Sequence, residues 1–231
     1  MTALILQGRL DSSRLPGKAL LPLGDRPMIR GVMEALKRVP ADCRILACPE
    51  DSLTAFTPLA KAANFEIIGG PKFDVLRRYC QAIRHYSADW VIRATGDNPF
   101  VFTDAAAALN REAVKAGADY AGYGALPYGA GVEVIKARAL LQAEEEAATD
   151  AEREHVCPFL YNHPERFLLY RPPAHPSWQG NEIRLTVDTP EDYARAQRLY
   201  DALLSVPPED RNKGETVIAV YRKTFHEEKR Q

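Results

Sequence analysis

Residues 3–24, "ALILQGRLDSSRLPGKALLPLG", decide how the rest of the chain is read. Ala3 to Leu6 form a short, wholly apolar run, as in a strand buried on both faces. Helical periodicity begins only at Pro27, so Arg9, Arg14 and Lys18, with Ser12 and Ser13, fall on a loop at the carboxyl end of that strand. Open α/β sheets bind their ligands at that end. Cations, hydroxyls and backbone N–H groups on one loop suit a triphosphate. The loop is not a Walker A sequence, which would need glycine at Ser12 and Ser or Thr at Ala19, and the chain has no GxGxxG. On chemistry alone, a solvated surface turn explains the same residues equally well.

Outward from this loop, strand-like and helix-like segments alternate. Strands "CRILACP", "FEIIGG" and "DWVIRATG" are interleaved with helices "RPMIRGVMEALKRV", "SLTAFTPLAKAAN", "DVLRRYCQAIRHY" and "TDAAAALNREAVKAG". That order predicts an α/β fold with a mostly parallel sheet. In the first helix Met28, Ile29, Val32, Met33, Leu36 and Val39 recur at three- and four-residue spacing, so the methionines belong to the core. The middle stretch "DYAGYGALPYGAGVEVI" mixes Gly, Pro and Tyr with short β-like pieces that could project from the sheet. After it come one long helix over "ARALLQAEEEAATDAEREH", a helix-compatible "EHVCPFLYNHP", strands "RFLLYRP" and "EIRLTVD", and a helix "PEDYARAQRLYDALL". The acidic run Glu144 to Glu146 reads as a solvated helix face. The charged tail "FHEEKRQ" is expected to fray.

The chain has 231 residues, 46% hydrophobic and 26% charged, which is ample for one globular domain. Its 30 basic and 31 acidic residues nearly cancel, so no bulk field favours nucleic acid or a membrane surface, and an anion site has to be local. Cys43, Cys48, Cys80 and Cys157 form neither a CxxC pair nor a Cys/His cluster, which leaves zinc and disulfide frameworks unsupported. No apolar run approaches the ~20 residues of a membrane span, and the N-terminus lacks a signal peptide's basic start. A cytoplasmic location is the expectation.

Two turns carry acids. "IRATGDNPF" sets Asp97 just past an apolar strand, and "RLTVDTPEDY" repeats that layout with Asp188. In the second, Thr189 can cap a helix, Pro190 suits its first position and Asp192 completes a T-x-x-D start, so Asp188 is not needed as the cap. Two carboxylates at one sheet edge could hold a hard cation against phosphate oxygens, though for either alone a turn-forming Asp is the favoured reading. Without a metal they are expected to repel, so neutralising one should slightly stabilise the empty protein. In "EREHVCPFLY", His155 is a candidate base beside Glu152, Arg153 and Glu154, or simply a histidine in an ion-paired helix surface.

Taken together, "QGRLDSSRLPGKALLPLGDRPMI", "DVLRRY", "VIRATGDNPFV", "GVEVI", "EREHVCPFLY" and "RLTVDTPEDY" resemble the spore coat polysaccharide biosynthesis branch of the cytidylyltransferases, from about residue 3 to residue 204. The wider family includes the CMP-sialic acid and CMP-KDO synthetases. The resemblance implies a Rossmann-like, GT-A-like nucleotidyltransferase: a three-layer sandwich with a mostly parallel central sheet and a projecting β arm, here residues 120–136, through which a homodimer would form. It also implies transfer of CMP from CTP, with Mg²⁺, to a sugar or sugar acid of surface polysaccharide biosynthesis, releasing pyrophosphate.

Carried over by residue, the resemblance puts Arg9, Arg14 and Lys18 in catalytic roles on the triphosphate loop. Ser12 and Ser13 bind there too, with Gln7, Gly8, Arg78, Thr95 and Gly96 around the nucleotide. Asp97 and Asp188 fall on the metal, and Glu133, Arg153, Glu154, His155 and Arg184 are acceptor candidates, with Arg153 and Arg184 as possible cations for a carboxylate. Two departures stand out: Asp11 brings an acid into the phosphate loop, where it should point outward or pair with Arg9 or Arg14, and Asn98 stands where close relatives often carry Cys. A GT-A-like glycosyltransferase is the competing enzyme reading, but the chain has no D-x-D metal motif. A non-catalytic nucleotide-binding protein is the third reading, and it leaves Lys18, Asp97 and Asp188 together unexplained.

Overall fold

The computed structural model describes residues 1–226; residues 227–231 of the charged tail lie outside the described part. At its centre is β1 (Thr2–Gln7). Leu4 and Leu6 enter one core while Ala3 and Ile5 enter the other, so the strand is apolar throughout rather than alternating. Parallel to β1 lie β4 (Cys43–Pro49) and β5 (Glu66–Gly70) on one side and β6 (Trp90–Thr95) on the other. A two-stranded hairpin, β2 (Pro22–Leu23) with β3 (Arg26–Pro27), leads into α1 (Met28–Leu36).

The layers follow from the two faces of the sheet. Helices α1, α2 (Leu53–Ala62) and α4 (Thr103–Ala116) bury their apolar stripes on the Leu4/Leu6 face. Helix α3 (Val75–Tyr86) packs on the Ala3/Ile5 face with α5 (Ala137–Glu146) and α7 (Pro158–Asn162). The result is the α/β order expected from the alternation, folded into the three-layer sandwich that the resemblance implies.

Topology then fixes the site. The chain steps from β1 to β4 to β5 in one direction and returns to β6 on the far side of β1, which opens a crevice at the carboxyl ends of β1 and β6. There the Gly96 N–H donates to the Gln7 carbonyl at 2.8 Å, and a Cβ at Gly96 would sit 3.1 Å from that oxygen, so a small residue holds the two strand ends together.

Residues 120–136, where the sequence suggests a β arm, supply β7 (Tyr120–Ala121) and β8 (Glu133–Lys136) to the central sheet. Strand β8 runs antiparallel to both β6 and β7, and β9 (Leu169–Tyr170) closes the edge beside β7. Buried Val134 and Ile135 tie β8 into the two cores. The connecting stretch 122–132 folds back instead of standing free: the Tyr128 N–H donates to the Ile183 carbonyl at 2.9 Å, and the Tyr128 carbonyl accepts from Leu185 at 2.8 Å.

Two segments differ from expectation. The long helix foreseen over 137–155 breaks into α5 and α6 (Asp150–His155), because Thr149 and Glu152 form a reciprocal capping box and Arg153 caps the carbonyls of Glu144 and Ala147. Residues 182–188 are extended but join no ladder. One bridge joins Tyr128 and Arg184, and the segment's backbone otherwise bonds to the 128 turn, the Asp97 and Gly180 carbonyls, the Asp192 carboxylate and the Lys18 ammonium. Asp188 therefore ends an extended segment, not a strand. After it, α8 (Pro190–Leu203) opens on the Thr189/Asp192 capping box, and with α9 (Gly214–His226), which the sequence patterns left unassigned, it covers a third core containing Phe100 and Phe102.

Candidate active site

The crevice holds a cavity of about 250 Å³. Gln7, Gly8, Thr95, Gly96 and Asp97 line it from the ends of β1 and β6, and Arg9, Ser12, Ser13, Arg14 and Lys18 from the loop. Arg78 and Val75 contribute from α3, Glu154 and His155 from α6, and Asp188 from the turn before α8. Residues 91 positions apart in sequence, Asp97 and Asp188 (188 − 97), thus meet in one cavity. The loop is shaped by its own bonds: Leu15 N–H donates to Ser12 Oγ at 3.3 Å and Gly17 N–H to the Leu10 carbonyl at 3.2 Å. Gly17 takes a left-handed φ of 66°, which turns the chain inward and delivers Lys18 into the floor.

The Lys18 ammonium is buried there between acids. It donates to Asp97 Oδ2 at 3.0 Å, Asp188 Oδ1 at 2.9 Å and the Val187 carbonyl at 2.8 Å. Asp188 is also approached by Arg14 at 3.2 Å and by Arg184 at 2.7 Å. This corrects the expectation of naked repulsion: one ammonium bridges the two carboxylates and Arg14 and Arg184 offset the remaining charge, so removing one acid costs an ion pair. Asp192 stands behind. It accepts from Arg184, Arg195 and the Asp188 N–H, and although burial works to raise its pKa, these donors outweigh it and hold the carboxyl below its ordinary value.

Arg78 is the most deeply buried cation of the cavity, at 2% exposure. Its Nε and Nη1 have no hydrogen-bond partner, and burial lowers its pKa. A buried guanidinium with idle donors beside a cavity is set to receive an acceptor-rich ligand. Nearby, burial pushes the Cys48 thiol up to about 11, which keeps it a neutral packing group. Asp11, the anomalous acid, pairs with neither Arg9 nor Arg14. It reaches Lys72 at 2.9 Å, which ties the loop to the segment before α3 and offsets its charge. Arg9 instead meets Glu154 at 3.5 Å.

Not every acceptor candidate arrives here. Arg153 binds Asp74 at 2.8 Å and the Glu144 and Ala147 carbonyls at the end of α5, a structural engagement away from the cavity. Arg184 touches the site only through Asp188 and stacks 4.9 Å over the Tyr128 ring. Glu133 lines a second cavity of about 360 Å³, which shares Thr95 with the first. There Glu133 pairs with Arg93 and accepts from Tyr120 Oη at 2.7 Å. Burial disfavours the Arg93 charge but Glu133 more than compensates, so its pKa rises, while burial first and Glu133 second raise that of Tyr120.

Arg171, which the sequence reading passed over, lines this second cavity with its guanidinium 5.0 Å from the Tyr120 ring and 4.8 Å from Tyr161. No hydrogen-bonded or ion-paired carboxylate reaches it among the described residues. Its only sequence signal was a cation next to the prolines after a strand. Asn98 also lines this cavity and anchors the turn by donating to Thr95 Oγ1 at 2.7 Å.

No helix among the described residues is long and apolar enough to cross a membrane. Among them, no group of three or more His, Cys, Asp or Glu forms a self-sufficient metal centre. Asp97 and Asp188, two hard oxygen donors around one cation position, nonetheless fit an ion that takes its remaining ligands from phosphate and water, as Mg²⁺ does.

Known proteins are similar to this chain in sequence and in fold. A cytidylyltransferase family model matches residues 3–223. The Spore coat polysaccharide biosynthesis protein SpsF of Bacillus subtilis is 31% identical over 206 residues, covering 85% of either chain. A cytidylyltransferase structure from Leptospira borgpetersenii superposes with a TM-score of 0.87 at 23% identity, over 96% of this chain and 94% of that one. A CMP:2-keto-3-deoxy-manno-octonic acid synthetase solved with CTP gives 0.67 at 16% identity, over 87% and 98%. At those identities the two structures speak for the fold, and the sequence matches speak for the family. The chain belongs to the cytidylyltransferase family and is a nucleotidyltransferase.

Proposed function

We propose that the whole chain works as one CTP-dependent unit that transfers CMP to a hydroxyl of a sugar or sugar acid for surface polysaccharide synthesis. CTP occupies the first cavity, its triphosphate under Arg9, Ser12, Ser13, Arg14 and Lys18, and its acceptor-rich nucleoside end within reach of Arg78. The acceptor occupies the second cavity, across Thr95. Its hydroxyl forms a bond to the α-phosphorus as the bond to pyrophosphate breaks, and the hydroxyl proton leaves to solvent or to a base such as His155. Asp97 and Asp188 hold Mg²⁺, which when bound supplies positive charge to the phosphate oxygens. Arg14 and Lys18 stabilise the charge that collects on the departing pyrophosphate. A homodimer through the 120–136 segment, whose Gly124 and Tyr128 are exposed, completes this reading.

The observation that carries the proposal is the Lys18 ammonium shared by Asp97 and Asp188 beneath a loop of arginines and serines. Pyrophosphate release from the four nucleoside triphosphates, with sugar acids, sugar phosphates and neutral sugars as acceptors, tests it. CTP with a divalent ion and one acceptor class should give turnover. Equal, metal-independent binding of all four nucleotides would remove the cytidylyl assignment.

A further inference from the structure

Helix α1 has two working faces. Through Ile29 it touches the site, since a Cβ added to Gly8 or Gly96 would lie 2.5 or 3.2 Å from Ile29 Cδ1. Its other face, Met28, Gly31 and Ala35 at three- and four-residue spacing, lines a separate cavity of about 310 Å³. Phe100, three residues past Asp97, and Leu203 of α8 complete an apolar floor.

Two features of this cavity are unexplained by the packing of the chain. The first is Gly31. Glycine inside a helix is weaker than alanine there, and it survives packing logic where a neighbour forbids a Cβ. Here a Cβ would meet nothing within 4 Å, so the space in front of Gly31 is vacant without being required by any neighbour. The second is the charge at the rim. Arg26 is paired with Asp25, and the one acid of the lining, Glu34, is paired with Lys37. Among the described residues Arg38 and Arg211 have only carbonyl partners: Pro208 for Arg38 at 2.9 Å, and Val206 and Leu204 for Arg211 at 2.9 and 3.1 Å. Two guanidinium groups without a carboxylate, above an apolar floor with vacant room, are complementary to a small molecule with an apolar body and an anionic head.

We infer that the cavity between α1, α8 and the Pro99–Phe100 turn is a second ligand site, distinct from the nucleotide site, that takes a small amphiphilic anion. Such a ligand would rest against the helix whose opposite face closes on Gly8 and Gly96, so occupancy is positioned to be felt at the nucleotide.

The test uses 1-anilinonaphthalene-8-sulfonate as the anionic probe and N-phenyl-1-naphthylamine as its uncharged counterpart, titrated by fluorescence into the full chain with saturating Mg²⁺ and CTP. The sulfonate should fill one site per chain that CTP does not displace, and the neutral amine should bind about tenfold more weakly. Gly31→Leu, which fills the vacancy, should weaken the sulfonate about tenfold, and Arg211→Gln should weaken it several-fold. If Gly31→Leu does not fold, Gly31→Ala serves: it should melt no lower than the parent and still weaken the probe. Displacement of the sulfonate by CTP, equal binding of the neutral amine, or unchanged binding in Arg211→Gln together with the folded Gly31 variant would each overturn the inference.

Discussion

Two cation–carboxylate groups flank the carboxyl half of β6, and they are built for opposite ends. On one side Lys18 bridges Asp97 and Asp188, with Arg14 and Arg184 crowding the same acid. On the other, Arg93 and Glu133 face each other across the β6–β8 ladder, with Tyr120 completing the acid's shell. The first group gathers three cations on Asp188 and opens onto a cavity, so a triphosphate can take over Lys18 and Arg14 while a metal takes over the acids. In the second, one carboxylate serves both Arg93 and Tyr120 across the ladder, while the Arg93 Nε stays without a partner. A buried pair with complementary partners resists exchange because separating it strands a desolvated charge. Several cations gathered on one acid mark the working cluster, and a single ladder-spanning pair marks the scaffold.

The difference can be broken first at the scaffold. Arg93→Met should cost about 3–5 kcal/mol of stability, the usual result of orphaning a buried partner, while CTP affinity stays within about a factor of two. Urea unfolding beside calorimetric CTP titration measures both. An unchanged unfolding midpoint would show that the pair bears no structural load. Lys18→Met should behave in the reverse sense: turnover falls ~10²–10³-fold for loss of a preorganised charge, and stability falls by a lesser amount, about 1–3 kcal/mol, because Arg14 and Arg184 still attend Asp188. Full activity at saturating CTP would return Lys18 to the role of a floor ion pair.

Metal and nucleotide sharpen the contrast. With ligand at 100 times its Kd, Mg²⁺ and CTP should add about 2.7 kcal/mol to the wild-type protein. Asp97→Asn and Asp188→Asn should each lose most of that gain along with turnover, and the double variant should be little worse than either single, as for groups that act as a unit. Each single variant should melt somewhat below wild type in EDTA, because Lys18 loses a partner. A smaller effect belongs to the second cavity: Arg171→Gln should raise the acceptor KM about tenfold, the equivalent of about 1.4 kcal/mol, with kcat nearly kept if the acceptor carries an anionic group. A KM unmoved for every acceptor that supports turnover would take Arg171 out of the acceptor site.

The sequence carried the first cavity well because its residues obey local rules. An apolar run followed by a polar loop places Arg9 to Lys18 at a strand end, and the "GDNP" and "VDTPED" turns place two acids at segment ends. What pairs with what is set by tertiary closure and left no local trace. Nothing in "SSRLPGK" says that Lys18 points inward while Arg9 turns to Glu154, or that Asp11 finds Lys72 61 positions later (72 − 11). The pairings of Arg153 and Arg184 are hidden in the sequence for the same reason. Their partners are a helix end and a second acid row, both assembled only after α8 and α5 dock. The unbroken helix over 137–155 failed because a capping box inside a helical pattern reads as polar surface until Thr149 is seen taking non-helical angles.

The smallest effect concerns Asp192, which belongs to neither cluster yet determines how crowded the first one is. It holds Arg184 by Nε at 3.1 Å while the same guanidinium reaches Asp188 at 2.7 Å. Asp192→Asn keeps an acceptor for the Thr189 capping box but removes the charge, so the helix start should lose only about 1 kcal/mol. Arg184, released from one of its two acids, then turns more fully to Asp188 and competes harder with any metal there. The half-saturating Mg²⁺ concentration for turnover should therefore rise about two- to threefold, with kcat at high Mg²⁺ nearly unchanged, since a tighter competing pair is a small free-energy difference that mass action can overcome. Arg184→Gln separates this account from simple loosening of the turn. Removing the competitor should lower the Mg²⁺ requirement in the Asp192→Asn background, whereas a loosened turn would raise it further.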